Sequence, residues 1–283
     1  MFEAMLDDGC LYSIQPSISV LSFASRASDF PGREEWTIDY VNQLIANRGE
    51  NTPVYFWHRD RNYMLDMLCL MASAEYVDWE TGQCSFDQGG FGQWLQFVKD
   101  TPYTDVHTQD AVLFEPCDGV YSFMAISGMF NTDDIAYAGF PGTAGSGSYF
   151  INSLYNESSF AVMASSQYKE QAWRFLKLIL TDDDSFARQG LSDIPVLKKS
   201  FEATLKARIN EDDSEKNYFY FPRAEADRIK DLVYSIDKIA SRDEQLKQMI
   251  STEAQAYFLD QKSLEETVAN IQSKVSIYVA EQS

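Results

Sequence analysis

The chain has 283 residues, 45% hydrophobic and 14% aromatic, enough to build a substantial core in one large domain or two moderate ones. Its formal charge is −20, from 43 acidic against 23 basic residues, and Lys198-Lys199 is the only adjacent basic pair. That balance excludes binding to a nucleic-acid backbone and disfavours an anionic membrane surface; it reads as a solvated, self-repelling exterior.

The opening MFEAMLDDGCLYSI lacks the basic and apolar regions of a signal peptide, and FEAML reads as the end of a helix whose first turns lie upstream. A fragment of a longer protein is therefore expected. LYSI (11–14) and ISVLSF (18–23) read as strands flanking Gln15-Pro16. WTIDYVNQLIANR (36–48) places Trp36, Tyr40, Val41, Leu44 and Ile45 near one helical face and stops before Gly49. TPVYFW (52–57) is β-rich, and RNYMLDMLCLMAS (61–73) is too apolar for a surface helix and predicts a buried one.

Ser85 with Gln88 predicts a capping box opening a helix that carries Phe91, Trp94, Leu95 and Val98 on one stripe. IAYAGF (135–140) and SFAVMAS (159–165) are short strand signals, and QYKEQAWRFLKLIL (167–180) is a strong helix. Asp182-Asp183-Asp184 and Glu211-Asp212-Asp213 lack the spacing of a calcium loop and read as solvated turns. Capping boxes at Ser241/Glu244 and Ser263/Glu266 predict helices through about Phe258 and Val279, joined by the turn LDQK into a hairpin. Strands interspersed with helices give a helix-rich α/β protein with small sheets. No run reaches the length needed to span a bilayer.

Catalytic and cofactor templates find little purchase. Cys10, Cys69, Cys84 and Cys117 lie far apart, and His58 and His107 are the only histidines, so no zinc site is expected; free buried thiols are the leading reading and disulfides the alternative. GFPGTAGSGSYF (139–150) is the most glycine-rich stretch, yet it has no lysine for a phosphate loop. Phe150 stands where a dinucleotide fingerprint needs its third glycine, and no G-x-S-x-G elbow is present. A pair of carboxylates for glycoside hydrolysis is available among so many acids, but no pair stands out.

The aromatics say more. Five Trp, 16 Tyr and 19 Phe supply rings that can stack on sugars. Trp94 and Trp173 sit on apolar helical faces and are expected in the core. Trp57 differs, because in FWHRDRNY it ends a strand beside Arg59, Asp60, Arg61 and Asn62, just before a buried helix. Asp60 reads equally well as that helix's N-cap.

The order of these segments resembles the later two-thirds or so of an extracellular solute-binding protein of ABC importers, family 1, the group that includes maltose-binding proteins. GCLYSIQPSISVLSFASRASDF is similar to the crossing from first lobe to second, and EEWTIDYVNQL to the family's Trp-Thr-then-helix element. YVDWETGQCSFDQGGFGQWLQFVKD resembles its turn into the "SFD" helix, and GFPGTAGSGSYF with SFAVMASSQYKEQAWRFLKLIL its return crossing. IPVLKKSFEA and the terminal AQAYFLDQKSLEETVANIQSKVSIYVAE complete the match, with Asp260 where the family usually has glycine.

The resemblance implies a type II periplasmic-binding-protein-like fold, two-lobed and hinged, with the first lobe incomplete. It assigns residues 1–14 and 149–200 to the partial first lobe, and 15–148 and 201–283 to the second. It implies an exported, lipid-anchored, monomeric protein that binds a carbohydrate for membrane permease subunits, without catalysis, cofactor or metal. Candidate contacts carried over by position are Trp57, Asp60, Arg61, Asn62, Tyr63, Asp118, Tyr121, Ser146, Ser148, Tyr149, Phe219, Tyr220 and Arg223. Orphaned apolar surface and weak solute binding are expected of a fragment. The alternatives are a glycoside hydrolase with two carboxylates and an intracellular helical interaction module.

Overall fold

The computed structural model describes residues 10, 12–49, 52–56, 60–88, 90–101, 110–114, 119–129, 134–143, 145–152, 159–181, 193–209 and 220–282. The strands are β1 (Ser17–Leu21), β2 (Ser25–Arg26), β3 (Val77–Asp78), β4 (Gln83–Cys84), β5 (Ile135–Ala136), β6 (Phe140–Pro141), β7 (Ser146–Gly147), β8 (Tyr149–Asn152), β9 (Ile194–Pro195) and β10 (Ile239–Ala240). The helices are α1 (Ile38–Arg48), α2 (Arg61–Glu75), α3 (Phe91–Asp100), α4 (Val120–Met129), α5 (Lys169–Thr181), α6 (Lys198–Ala207), α7 (Arg223–Ser235), α8 (Glu244–Phe258) and α9 (Leu264–Gln282).

The chain divides into two compact units. Unit 1 comprises residues 1–22, 116–137 and 148–239, and unit 2 comprises 23–115, 138–147 and 240–283. The chain thus passes between units at 22/23, 115/116, 137/138, 147/148 and 239/240, whereas the sequence reading divides it at 14/15, 148/149 and 200/201.

Unit 1 is organised on β1. All five of its residues are buried, and it pairs antiparallel with β8 (Ile18↔Asn152 through Leu21↔Tyr149) and with β9 (Ser17↔Pro195, Ile18↔Ile194). Strand pairing keeps 17–22 with this unit. On one face Ser17 and Ser19 each donate to the buried Asp193 carboxylate at 3.3 Å, which satisfies hydroxyls that would otherwise be costly to bury. On the outer edge of β8 the Phe150 N–H donates to the Lys238 carbonyl at 2.9 Å. Among its described residues, 12–14, LYSI contributes a bridge, Ile14 to Phe160, and no strand. Helices α6 and α7 pack together, and α6 also packs on β9.

Unit 2 is a helical body. Helix α2 buries Met64, Leu65, Met67, Leu68, Cys69, Leu70, Met71, Ala72 and Ser73, as its uniformly apolar sequence predicts, and packs against α3 and α8. The α8–α9 hairpin forms as expected, and α9 packs on α3 and β4. Trp36 is fully buried, its indole N–H donating to the Gly139 carbonyl at 3.1 Å, and Thr37 caps α1 by accepting from the Tyr40 N–H. Among its described residues, 52–56, TPVYFW yields a single parallel bridge, Tyr55 to Leu113.

Two of the three capping boxes are corrected. The Ser85 carbonyl and the Gln88 N–H close a turn at 3.3 Å, and α3 starts only after Gly90, with no side-chain cap. Gly90 takes the N-cap position instead, after the residues the box would have placed in the helix. Helix α8 is capped by Asp243, which accepts from the Leu246 N–H at 2.8 Å, while the Ser241 N–H is engaged by the Ser73 hydroxyl. The third box stands in part, with Ser263 accepting from the Glu266 N–H at 3.1 Å. Asp260, in the hairpin turn, has φ 56, the left-handed conformation that glycine adopts without cost.

Candidate functional site

The first cluster of expected contacts sits at the start of α2, where the aspartate-before-apolar-run pattern sets a helix N-terminus. Asp60 is the N-cap, accepting from the Tyr63 N–H at 2.8 Å. The Arg61 guanidinium donates to the Lys99 carbonyl at 2.8 Å and lies 5.2 Å over the Phe258 ring. Asn62 accepts from the Gln255 side-chain amide at 2.9 Å. These side chains tie the start of α2 to the ends of α3 and α8. Tyr63 beside them is half-buried.

The glycine-rich stretch is a small hairpin. β6 and β7 pair (Phe140↔Gly147, Pro141↔Ser146), and the Ser146 N–H donates to the Arg33 carbonyl at 2.8 Å. Gly145 has φ 125, and a Cβ there would stand 2.9 Å from the Arg33 carbonyl oxygen, so the position requires glycine. The passage between units falls directly after Gly147. Ser148 then pairs its hydroxyl with that of Ser22 at 2.9 Å. Tyr149 is only 3% exposed, its backbone opposite Leu21 in the sheet, so its ring is buried.

In unit 1 the remaining candidates fall at two helix starts. Tyr121, in the first turn of α4, is 54% exposed. Tyr220 is 39% exposed beside the buried Phe221, and Arg223 opens α7. Trp57, Asp118 and Phe219 lie outside the described residues. The structure thus brings together Asp60–Tyr63 in one unit and Tyr220 with Arg223 in the other. Among the described candidates, Tyr121 and Tyr220 are the exposed rings.

Sequence reasoning missed one constellation. Glu225 is fully buried in the first turn of α7, where the Tyr137 hydroxyl hydrogen-bonds Oε1, and the neighbouring Arg228 donates to the Ile135 carbonyl at 3.1 Å. Burial raises its pKa above the ordinary glutamate value, a rise that the Tyr137 hydrogen bond and Arg228 only partly offset. The signal was available, because Glu225, Ile229, Leu232 and Val233 share the helical spacing of α7's apolar face. Trp173 is the converse. Expected in the core, it is 47% exposed, and Leu176 is the one buried residue of α5.

Among the cysteines, Cys69 is a buried free thiol pushed up to about 12, chiefly by burial; Cys84 is half-buried and Cys10, against expectation, is exposed. Unit 2 also holds a groove of about 420 Å³ between α1 and α3, with Ile38, Asn42, Val54, Gln93 and Phe97 in its lining and none of the described contact candidates.

No family model matches the chain, and no curated protein matches it. Solved structures do. The sugar-binding protein MalE of Xanthomonas citri aligns over 98% of this chain and 72% of its own, with a TM-score of 0.61 at 15% identity. Maltose-bound MalE3 of T. maritima aligns over 97% and 74%, with a TM-score of 0.57 at 13% identity. A substrate-binding protein of Listeria monocytogenes in complex with cycloalternan covers 98% and 74%, with a TM-score of 0.58 at 9% identity.

This chain has the helix-rich fold of the two-lobed sugar-binding proteins. It spans about three quarters of their length, as the incomplete first lobe expected from the sequence requires. At these identities the likeness is one of fold, and no helix among the described residues is long and apolar enough to cross a membrane.

Proposed function

We propose that this chain is the greater part of a carbohydrate-binding subunit of an ABC importer, which captures an oligosaccharide outside the cytoplasmic membrane and delivers it to a permease. One observation carries the reading: 97% of the chain or more aligns with proteins solved with, or named for, maltose, cyclic maltosyl-maltose and cycloalternan. In this reading units 1 and 2 belong to the first and second lobes, and the full-length protein is a lipid-anchored monomer. Binding is the whole activity, with no catalytic step.

The exposed rings of Tyr121 and Tyr220 supply the stacking faces such a ligand needs, and Arg223 supplies donors for its hydroxyls. The start of α2 offers N–H groups beyond those Asp60 caps. Calorimetric titration with maltose and longer maltooligosaccharides tests the proposal. A polypeptide extended to the full length of the neighbours binds one of them at micromolar concentration or below, and the present chain binds it far more weakly. Release of chromophore from chromogenic glycosides would overturn the reading in favour of hydrolysis.

A further inference from the structure

We propose that Glu225, Tyr137 and Arg228 form a proton-operated latch that holds the 135–137 segment against α7 where the chain leaves unit 1. Two side-chain links join the segment to α7, Tyr137 on Glu225 and Arg228 on the Ile135 carbonyl, and the next residue, Ala138, belongs to unit 2. Glu225 has no solvent exposure, and its Oε2 has no hydrogen-bond partner among the described residues.

A carboxylate in that position leaves a full charge desolvated with one oxygen unsatisfied, whereas the neutral acid leaves only a polar group. The observed arrangement therefore suits the protonated form, in the direction that burial shifts the group. The groups acting on the carboxyl are the Tyr137 hydroxyl, from the segment after β5, and the Arg228 guanidinium, three residues along α7. From α4 the Phe123 ring meets the Tyr137 ring edge-on with centroids 5.2 Å apart, adding no charge.

Ionisation changes the allocation of Arg228. Residues three apart on a helix are neighbours, so a Glu225 carboxylate draws the guanidinium away from the Ile135 carbonyl. One of these two links to α7 is then lost, and the hold of α7 on 135–137 loosens. The sign follows from a raised pKa. The latch is fully closed below the ordinary glutamate value of 4.5 and opens as pH rises through the higher folded value.

The test is amide hydrogen exchange of the peptide covering 134–138, measured from pH 4.5 to 8 and corrected for the intrinsic pH dependence of exchange. Wild type is expected to lose at least tenfold in protection at that peptide as pH rises, with the β1–β8 peptides unchanged. Glu225→Gln, which stays neutral, is expected to keep its protection across the range. An equal pH response in wild type and E225Q, or none in wild type, overturns the proposal. Should E225Q fail to fold, infrared spectroscopy of the wild type gives the same decision. A protonated-carboxyl carbonyl stretch must persist at pH values where ordinary surface carboxylates are fully ionised and fade only above them, and a band that vanishes together with theirs overturns the latch.

Discussion

At the scale of single residues, two acids buried in this chain are handled in opposite ways. Glu225 meets the Tyr137 hydroxyl, its burial outweighs the pull of that bond and of Arg228, and its pKa rises. Glu253 in α8 is also buried, yet its carboxylate takes Lys262 at 2.5 Å, Lys274 at 2.6 Å and the Asn270 amide at 3.2 Å. Burial alone would raise its pKa, but Lys262, Lys274 and Asn270 together bring it down to about 2. A depressed folded pKa contributes stability that is complete above about pH 4.5 and is lost as pH falls from there towards 2. Glu253→Gln is expected to cost about 2 kcal/mol at pH 7, less than the ~3–5 kcal/mol of a fully buried pair, because both lysines can return to water. Urea melts at pH 7 and pH 2.5 check this, the mutational penalty shrinking at the lower pH. Asp260 makes a different prediction. Its φ of 56 favours glycine, and its Lys99 contact is 82% exposed on the aspartate side, so Asp260→Gly is expected to be neutral or stabilising by up to ~1 kcal/mol in thermal melts.

At the scale of elements, the helices were legible where one physical signal dominated. The all-apolar 61–73 stretch became the buried α2, and Trp36-Thr37 became a buried anchor and an N-cap. Capping was less legible, since a Ser-x-x-Gln pattern is met equally by the turn that Ser85 and Gln88 make ahead of a glycine pair. Short strands were the least legible, because a β-rich hexamer such as TPVYFW says nothing of its partner, and here it finds one bridge. Helix α5 shows a further limit. Its pattern marks an apolar face correctly, but whether that face is covered depends on what packs there. Met163, Tyr168, Trp173, Phe175 and Leu178 are 47–74% exposed along or just before it, a concentration of large apolar side chains left to solvent. The chain alone is expected to bind a hydrophobic dye and to self-associate in sedimentation experiments. Replacing Phe175 and Leu178 with glutamate should relieve both while changing the unfolding free energy by no more than about 0.5 kcal/mol. Extension to the neighbours' full length should also remove the dye binding.

At the scale of the whole molecule, the order of segments identified the fold from sequence, because order survives where individual residues drift to 9–15% identity. The contact residues were harder to read, for the same residue types also cap helices and join them: Asp60, Arg61 and Asn62 are largely engaged in that way. Tyr149, carried over as a contact, lies within the sheet. In a full-length protein that binds sugar, Tyr121→Ala and Tyr220→Ala are each expected to weaken affinity by roughly tenfold, about 1.4 kcal/mol, without lowering Tm. Tyr149→Ala should instead lower Tm, since it removes a buried ring. The serine pair at the end of the central sheet has a mechanical consequence. β1 is left at Ser22 and β8 is entered at Ser148, so both strands connect to unit 2 at the same end of their antiparallel ladder. A pulling force transmitted through those two connections loads the ladder as a zipper. The bonds yield one after another from the hydroxyl pair inward, a geometry that gives way at far lower force than one that shears every bond together.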